Sequence, residues 1–192
     1  MKGQTMAEAI VPEEGLLKDM ALIGAGSAFV AVSAQISIPL PFTPVPITGQ
    51  TLAVLLVGAV LGSKRGAIAL MAYLIEGIIG IPVFAGGTGG IGKLLGPTGG
   101  YLIGFIASSY LVGLLSEKGW DKSYRGSILA MGVGNAAIYL FGIPWLMVVT
   151  GVSLKGALFM GFLPFVPGDA VKLLIASIAM PVTWRIIGSN RG

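Results

Sequence analysis

The chain has no cysteine and no histidine among its 192 residues. Without cysteine there is no disulfide, no thiolate metal site and no thiol nucleophile. Without histidine the commonest metal ligand and general base is missing. Charge is scarce as well, at 10% of residues, where a soluble domain carries about 25%. Hydrophobic residues make up 55% of the chain, and the mean hydropathy is +0.91. This is the composition of an integral membrane protein. The net charge of +4 sits in short clusters between apolar runs, as membrane topology requires, and is no nucleic-acid footprint.

What the sequence does contain is a series of apolar runs, read as an all-α bundle of six transmembrane helices in a single domain. The expected spans are about 20–36, 50–62, 67–81, 101–115, 127–149 and 169–187. Residues 1–17 are polar, with Glu8, Glu13 and Glu14, and are expected to be a mobile tail or a short surface helix. That acidic tail argues against a signal peptide, which begins with a basic leader, so the first span is read as retained. Six spans put both termini on one side. Nine of the 12 basic residues (Lys2, Lys18, Lys64, Arg65, Lys118, Lys122, Arg125, Arg185 and Arg191) fall on that side. Lys93, Lys155 and Lys172 fall toward the other, so both termini are expected to be cytoplasmic.

Three irregular segments then face outward together. Residues 39–50 carry four prolines and no charge, which excludes a regular helix and suits a semi-rigid apolar lid. Residues 82–100 are rich in glycine. Within them, 87–93 (GTGGIGK) approaches both a dinucleotide and a phosphate-loop pattern. Both matches fail on context: Leu94 stands where a metal-binding Ser or Thr belongs, and no strand precedes the loop. Thr88 is the polar side chain in the middle of that loop. The third segment, 164–172 (PFVPGDAVK), opens the last span and places Asp169 and Lys172 one turn apart on one helical face. Ionisable groups inside a span are costly and mark function. A urea- or amide-like group satisfies such a pair at once, donating to Asp169 and accepting from Lys172; with an anionic ligand Lys172 takes the carboxylate instead. Phe42, Phe84, Tyr101 and Phe165 are the expected apolar walls. Glu76 and Asn135 are further polar residues within spans, and Glu76 either lines the cavity or bonds a neighbouring helix.

Three of these stretches carry a resemblance. Residues 41–52 (PFTPVPITGQTL), 96–101 (GPTGGY) and 167–172 (PGDAVK) resemble the signature of the BioY family, the biotin-binding S components of energy-coupling factor (ECF) transporters. The likeness covers nearly the whole chain in order. It implies the S-component helix arrangement and high-affinity capture of biotin in a prokaryotic plasma membrane. Partners would be a transmembrane coupling protein (the T component) and two cytoplasmic ATPases that alone use ATP. Asp169 and Lys172 match the family's ligand-contacting acid and lysine. Thr88 occupies a loop position where the family often has Asn, and Gln50, Phe84 and Tyr101 complete the expected ligand contacts. Ala21, Ala25 and Ala28, at small-residue spacing on the first helix, are expected to face the coupling protein. No resident cofactor, metal or catalytic residue is expected. The rival readings are a passive channel or facilitator, an S component for another vitamin, or an intramembrane enzyme, which would lack catalysts here.

Overall fold

Side chains that avoid water but leave the backbone to satisfy its own hydrogen bonds fold as helices, and a computed structural model shows them doing so. It describes residues 4–12 and 15–189; Lys2, Glu13, Glu14 and Arg191 lie outside these. In chain order the elements are α1 (Met6–Ile10), α2 (Leu16–Ala34), β1 (Ser37–Leu40), β2 (Thr43–Thr48), α3 (Gln50–Leu61) and α4 (Ser63–Ile78). They continue with α5 (Ile91–Leu95), α6 (Gly99–Glu117), a 3-10 turn (Trp120–Lys122), α7 (Tyr124–Thr150), α8 (Leu154–Gly161) and α9 (Val166–Ser189). Each expected span thus contains a helix. Among the described residues, four are long and apolar enough to cross a membrane: α2, α6, α7 and α9. α3 is apolar but has 12 residues, about 18 Å of helix against a hydrocarbon core of about 30 Å.

The termini of these helices follow from local chemistry. Ser123 and Ser153 accept hydrogen bonds from Gly126 and Gly156 N–H and so cap α7 and α8. α7 ends at Gly151 with φ +70°, a left-handed position that glycine adopts without strain. Gly62, at φ +84°, reverses the chain between α3 and α4. α7 is helical straight through Pro144.

Residues 37–48 depart from the all-α expectation. They form a two-stranded antiparallel hairpin, paired at Ser37–Thr48, Ile38–Ile47 and Leu40–Thr43. The register is irregular between Ile38 and Leu40, and Pro39, Pro44 and Pro46 occupy that irregular stretch, where a missing N–H costs no ladder bond. In the N-terminal stretch, of the two expectations it is the short helix that is present, docked by a buried face. α1 is closed by a capping box between Thr5 and Glu8, and Met6, Ala7 and Ala9 are buried.

The two ends of the bundle differ sharply. At one end Arg65 pairs with Glu8 at 3.0 Å and with Asp19 at 2.8 Å. Beside them, Glu117 accepts from Ser63 N–H and O–H, and Trp184 Nε1 donates to Asp121 at 2.6 Å. Lys122 lies over the Trp184 ring and Arg185 over Tyr124. Burial pushes the Asp121 carboxyl up, against the Trp184 bond that opposes it. The other end holds the hairpin, the glycine loop, α5, α8 and the start of α9. Between them the helices meet through glycines: a Cβ on Gly58 would stand 2.5 Å from the Ser109 carbonyl oxygen of α6. Outward side chains are apolar, with Leu140 72% and Val148 82% exposed on α7, a surface that suits lipid and not water.

Two outcomes follow. Gly58→Ala forces α3 from α6 and is expected to lower unfolding stability by about 1–3 kcal/mol, read by thermal unfolding in detergent. Gly24→Ala, with open space around its Cβ, serves as the control and is expected to keep or slightly raise stability through alanine's helix propensity. The second concerns Glu8. Partial burial raises its pKa, but bonds from Thr5 and Arg65 outweigh that and leave it below the ordinary 4.5. A carboxylate with a lowered folded-state pKa stabilises above its unfolded value and loses that contribution as pH falls through the folded one. Unfolding temperature is therefore expected to drop as pH falls below 4.5, and Glu8→Gln to remove that component of the slope.

Candidate functional site: a buried acid–lysine pair in an apolar cavity

α9 begins at Val166, so Asp169 lies in its first turn and Lys172 in the next. Asp169 is 5% exposed, and Lys172 Nζ reaches its Oδ1 at 3.0 Å. Two hydroxyls complete the arrangement. Thr51, in the first turn of α3, donates to Asp169 Oδ1 at 3.3 Å and accepts from Lys172 Nζ at 2.9 Å. Tyr139 of α7 donates to Asp169 Oδ2. Three helices are thereby tied at one point. The remaining valences can be counted from the side-chain inventory. Lys172 has spent two of its three donors, and Asp169 Oδ2 keeps one acceptor position.

The pair opens into a cavity whose empty space, open solvent at the mouth included, is about 780 Å³. Asp169, Lys172, Thr88, Gln50, Phe84 and Tyr101, the six residues expected from sequence, all line it. Phe165 does too, but Phe42 does not. Phe42 sits at the hairpin tip, 56% exposed, over a shallow groove shared with Phe159, Leu163 and Pro164. Further wall comes from β2 (Pro44, Val45, Pro46, Thr48), from Ala85, Lys93 and Thr98, and from Leu102, Phe105 and Ile138.

Several wall residues are held in place by hydrogen bonds of their own. Gln50 donates to Tyr73 OH at 2.6 Å and accepts from Thr48 at 3.0 Å. Tyr73 OH in turn donates to the Val83 carbonyl at 3.1 Å. Tyr101 OH donates to the Gly161 carbonyl at 2.9 Å, so its ring is what borders the cavity. In the glycine loop, Phe84 and Thr88 pair across a tight turn that Gly86 and Gly87 enter at φ +71° and +66°. Thr88 Oγ1 donates to the Ala85 carbonyl at 3.0 Å. Phe84 rests edge-on against Tyr73, with ring centroids 5.6 Å apart, directly over Gly77, where a Cβ would strike its ring. The same segment leads into the five-residue α5 and builds no strand–loop–helix phosphate cradle.

Other expected residues lie apart from the cavity. Glu76 accepts from Ser27 of α2 at 2.7 Å, which answers its open choice in favour of a helix–helix bond. Asn135 is not part of the wall. Ala21, Ala25 and Ala28 are all exposed on α2, whose other face buries Gly26, Ser27 and Val30. Thr51 and Tyr139 were not singled out from sequence. Thr51 lay inside the quoted 41–52 stretch, next to Gln50; Tyr139 had no local signal beyond a hydroxyl one turn past Asn135.

The chain is similar to known proteins over most of its length. The family model described as the BioY family matches residues 4–189. A biotin transporter BioY of Thermotoga maritima is 43% identical over 82% of this chain and 91% of its own. A probable biotin transporter BioY of Pyrococcus horikoshii is 40% identical over 90% of this chain and 98% of its own. One from Rhizobium etli is 39% identical over 78% and 83%. A crystal structure of the S-component for biotin from an ECF-type ABC transporter superposes with TM-score 0.80 at 29% identity, covering 88% of this chain and 92% of that one. With the family model spanning nearly all of it, and relatives this similar over most of their length, the chain belongs to the BioY family.

Proposed function

We propose that this protein is the biotin-capturing membrane subunit of an ECF-type uptake transporter and that Asp169 and Lys172 grip the ureido ring. The observation that carries the site is the pair's leftover valence. One donor on Lys172 and one acceptor on Asp169, side by side in an apolar cavity, are what a cyclic urea's carbonyl and N–H require. Thr51 and Tyr139 position the carboxylate, so no rearrangement is needed when ligand arrives. Thr88, Gln50, Phe84 and Tyr101 shape the remaining contact surface.

The protein is a multi-pass membrane transporter subunit and not an enzyme. In our reading α3 and α4 join the four long helices as spans, both termini lie in the cytoplasm of a prokaryotic cell, and the cavity faces outward. Support for that orientation comes from the basic cluster at the end opposite the cavity. Energy is supplied by a coupling protein and two ATPases, since the glycine loop of this chain builds no phosphate cradle. The exposed Ala21, Ala25 and Ala28 face of α2 is where the coupling protein packs, because small side chains let another helix approach closely. A passive channel is disfavoured: a conducting path needs polar groups along its length, yet Glu76 is engaged by Ser27 and Asn135 stands outside the cavity.

Mass spectrometry of small molecules released from the purified chain is expected to find unmodified biotin. Asp169→Asn and Lys172→Ala are each expected to weaken biotin binding by about 1–3 kcal/mol in calorimetry, the cost of leaving a buried polar partner unpaired. Tyr139→Phe should weaken it by about 1 kcal/mol through the same carboxylate. Unchanged affinity in all three removes the assigned site. Ala25→Leu and Ala28→Leu are expected to abolish co-purification with a coupling protein while biotin affinity is kept. The reverse pattern would reassign that face.

A further inference from the structure

Three charged side chains line the cavity: Asp169, Lys172 and Lys93. The first two neutralise each other at 3.0 Å. Lys93 has no ion-pair partner among the described residues, so the cavity holds one positive charge in excess. The two cations also differ in setting. Lys172 is 16% exposed at its side chain and joined to Asp169, whereas Lys93 is exposed, on α5 at the end of the glycine loop. The wall also includes Leu102, Phe105 and Ile138, which offer only apolar contact. An occupant that matches all of this has a neutral polar head, an apolar body and a single negative charge.

We propose that Lys93 is a specificity-determining residue that binds the ligand's free carboxylate, so that the site admits the acid and discriminates against its neutral derivatives. This rests on the biotin reading and deepens it: the ureido ring occupies the Asp169–Lys172 end and the valerate carboxylate meets Lys93. It also leaves Lys172 committed to the ring and not to the tail. The bland role for Lys93, offsetting the carbonyl end of a short helix, would affect any ligand of the cavity equally.

The test is the ratio of affinities for biotin and biotin methyl ester, measured by calorimetry on the full chain in detergent. Wild type is expected to prefer the acid by about three- to tenfold, between the worth of a screened surface pair and that of a charge-assisted bond. That preference should shrink as salt rises from about 0.1 to 1 M. Lys93→Gln is expected to bring the ratio close to one, and Lys93→Arg to restore most of it. A preference that persists in Lys93→Gln, or that disappears in Lys172→Gln instead, overturns the assignment, as does a wild type that binds acid and ester alike. Wild type that binds neither compound overturns the biotin reading itself, and this inference with it.

Discussion

An ammonium and a carboxylate that neutralise each other inside apolar surroundings set the terms for everything around them. Either charge alone would be expelled from such a place or would lose its ionisation. Together, with Thr51 bridging both and Tyr139 on the far oxygen, they persist and still have a bond apiece to give. Because Thr51 begins α3, Tyr139 is mid-α7 and the pair opens α9, the network also holds three helices in register. The proposed ligand grip and the joining of the bundle at that end are therefore one feature.

The rest of the molecule keeps that end distinct from the other. Acidic and basic side chains gather where α1 docks, where α4 starts and where α9 finishes, and they pair there or lie against aromatic rings. The cavity end is built from elements that carry little charge: a proline-rich hairpin, a glycine turn and two short helices. Glycine contacts such as Gly58 on α6 draw the helices close together between the two ends. A small helical bundle can in this way keep a cavity at one end and a charged face at the other.

The helices were legible in the sequence because apolar runs of this length have few other ways to satisfy their backbones. The hairpin was not. Its prolines exclude a helix and suit a semi-rigid lid, but nothing local in the sequence shows that they fall where a strand ladder is irregular. Phe42 was misplaced for the same reason: a turn at residues 41 and 42 throws it outward, which a linear reading of the segment does not reveal. At the site, Asp169 and Lys172 announced themselves by helical spacing, a local signal. Thr51 and Tyr139 meet them across 118 and 30 residues, and a hydroxyl carries no sign of which distant partner it will find. Glu76 shows the limit from the other side, since either fate fitted its position until Ser27 was found within 2.7 Å.

Gly77 does not border the cavity, yet the ring of Phe84 is seated on it and held edge-on by Tyr73, itself tethered through Gln50 and Val83. The depth of one cavity wall is accordingly dictated from behind, by the bulk of a residue that no ligand ever meets. Evolution toward a slimmer or broader vitamin need not touch the recognition residues at all; a change of one methyl group on the hidden side of that aromatic wall would retune the calibre of the chamber.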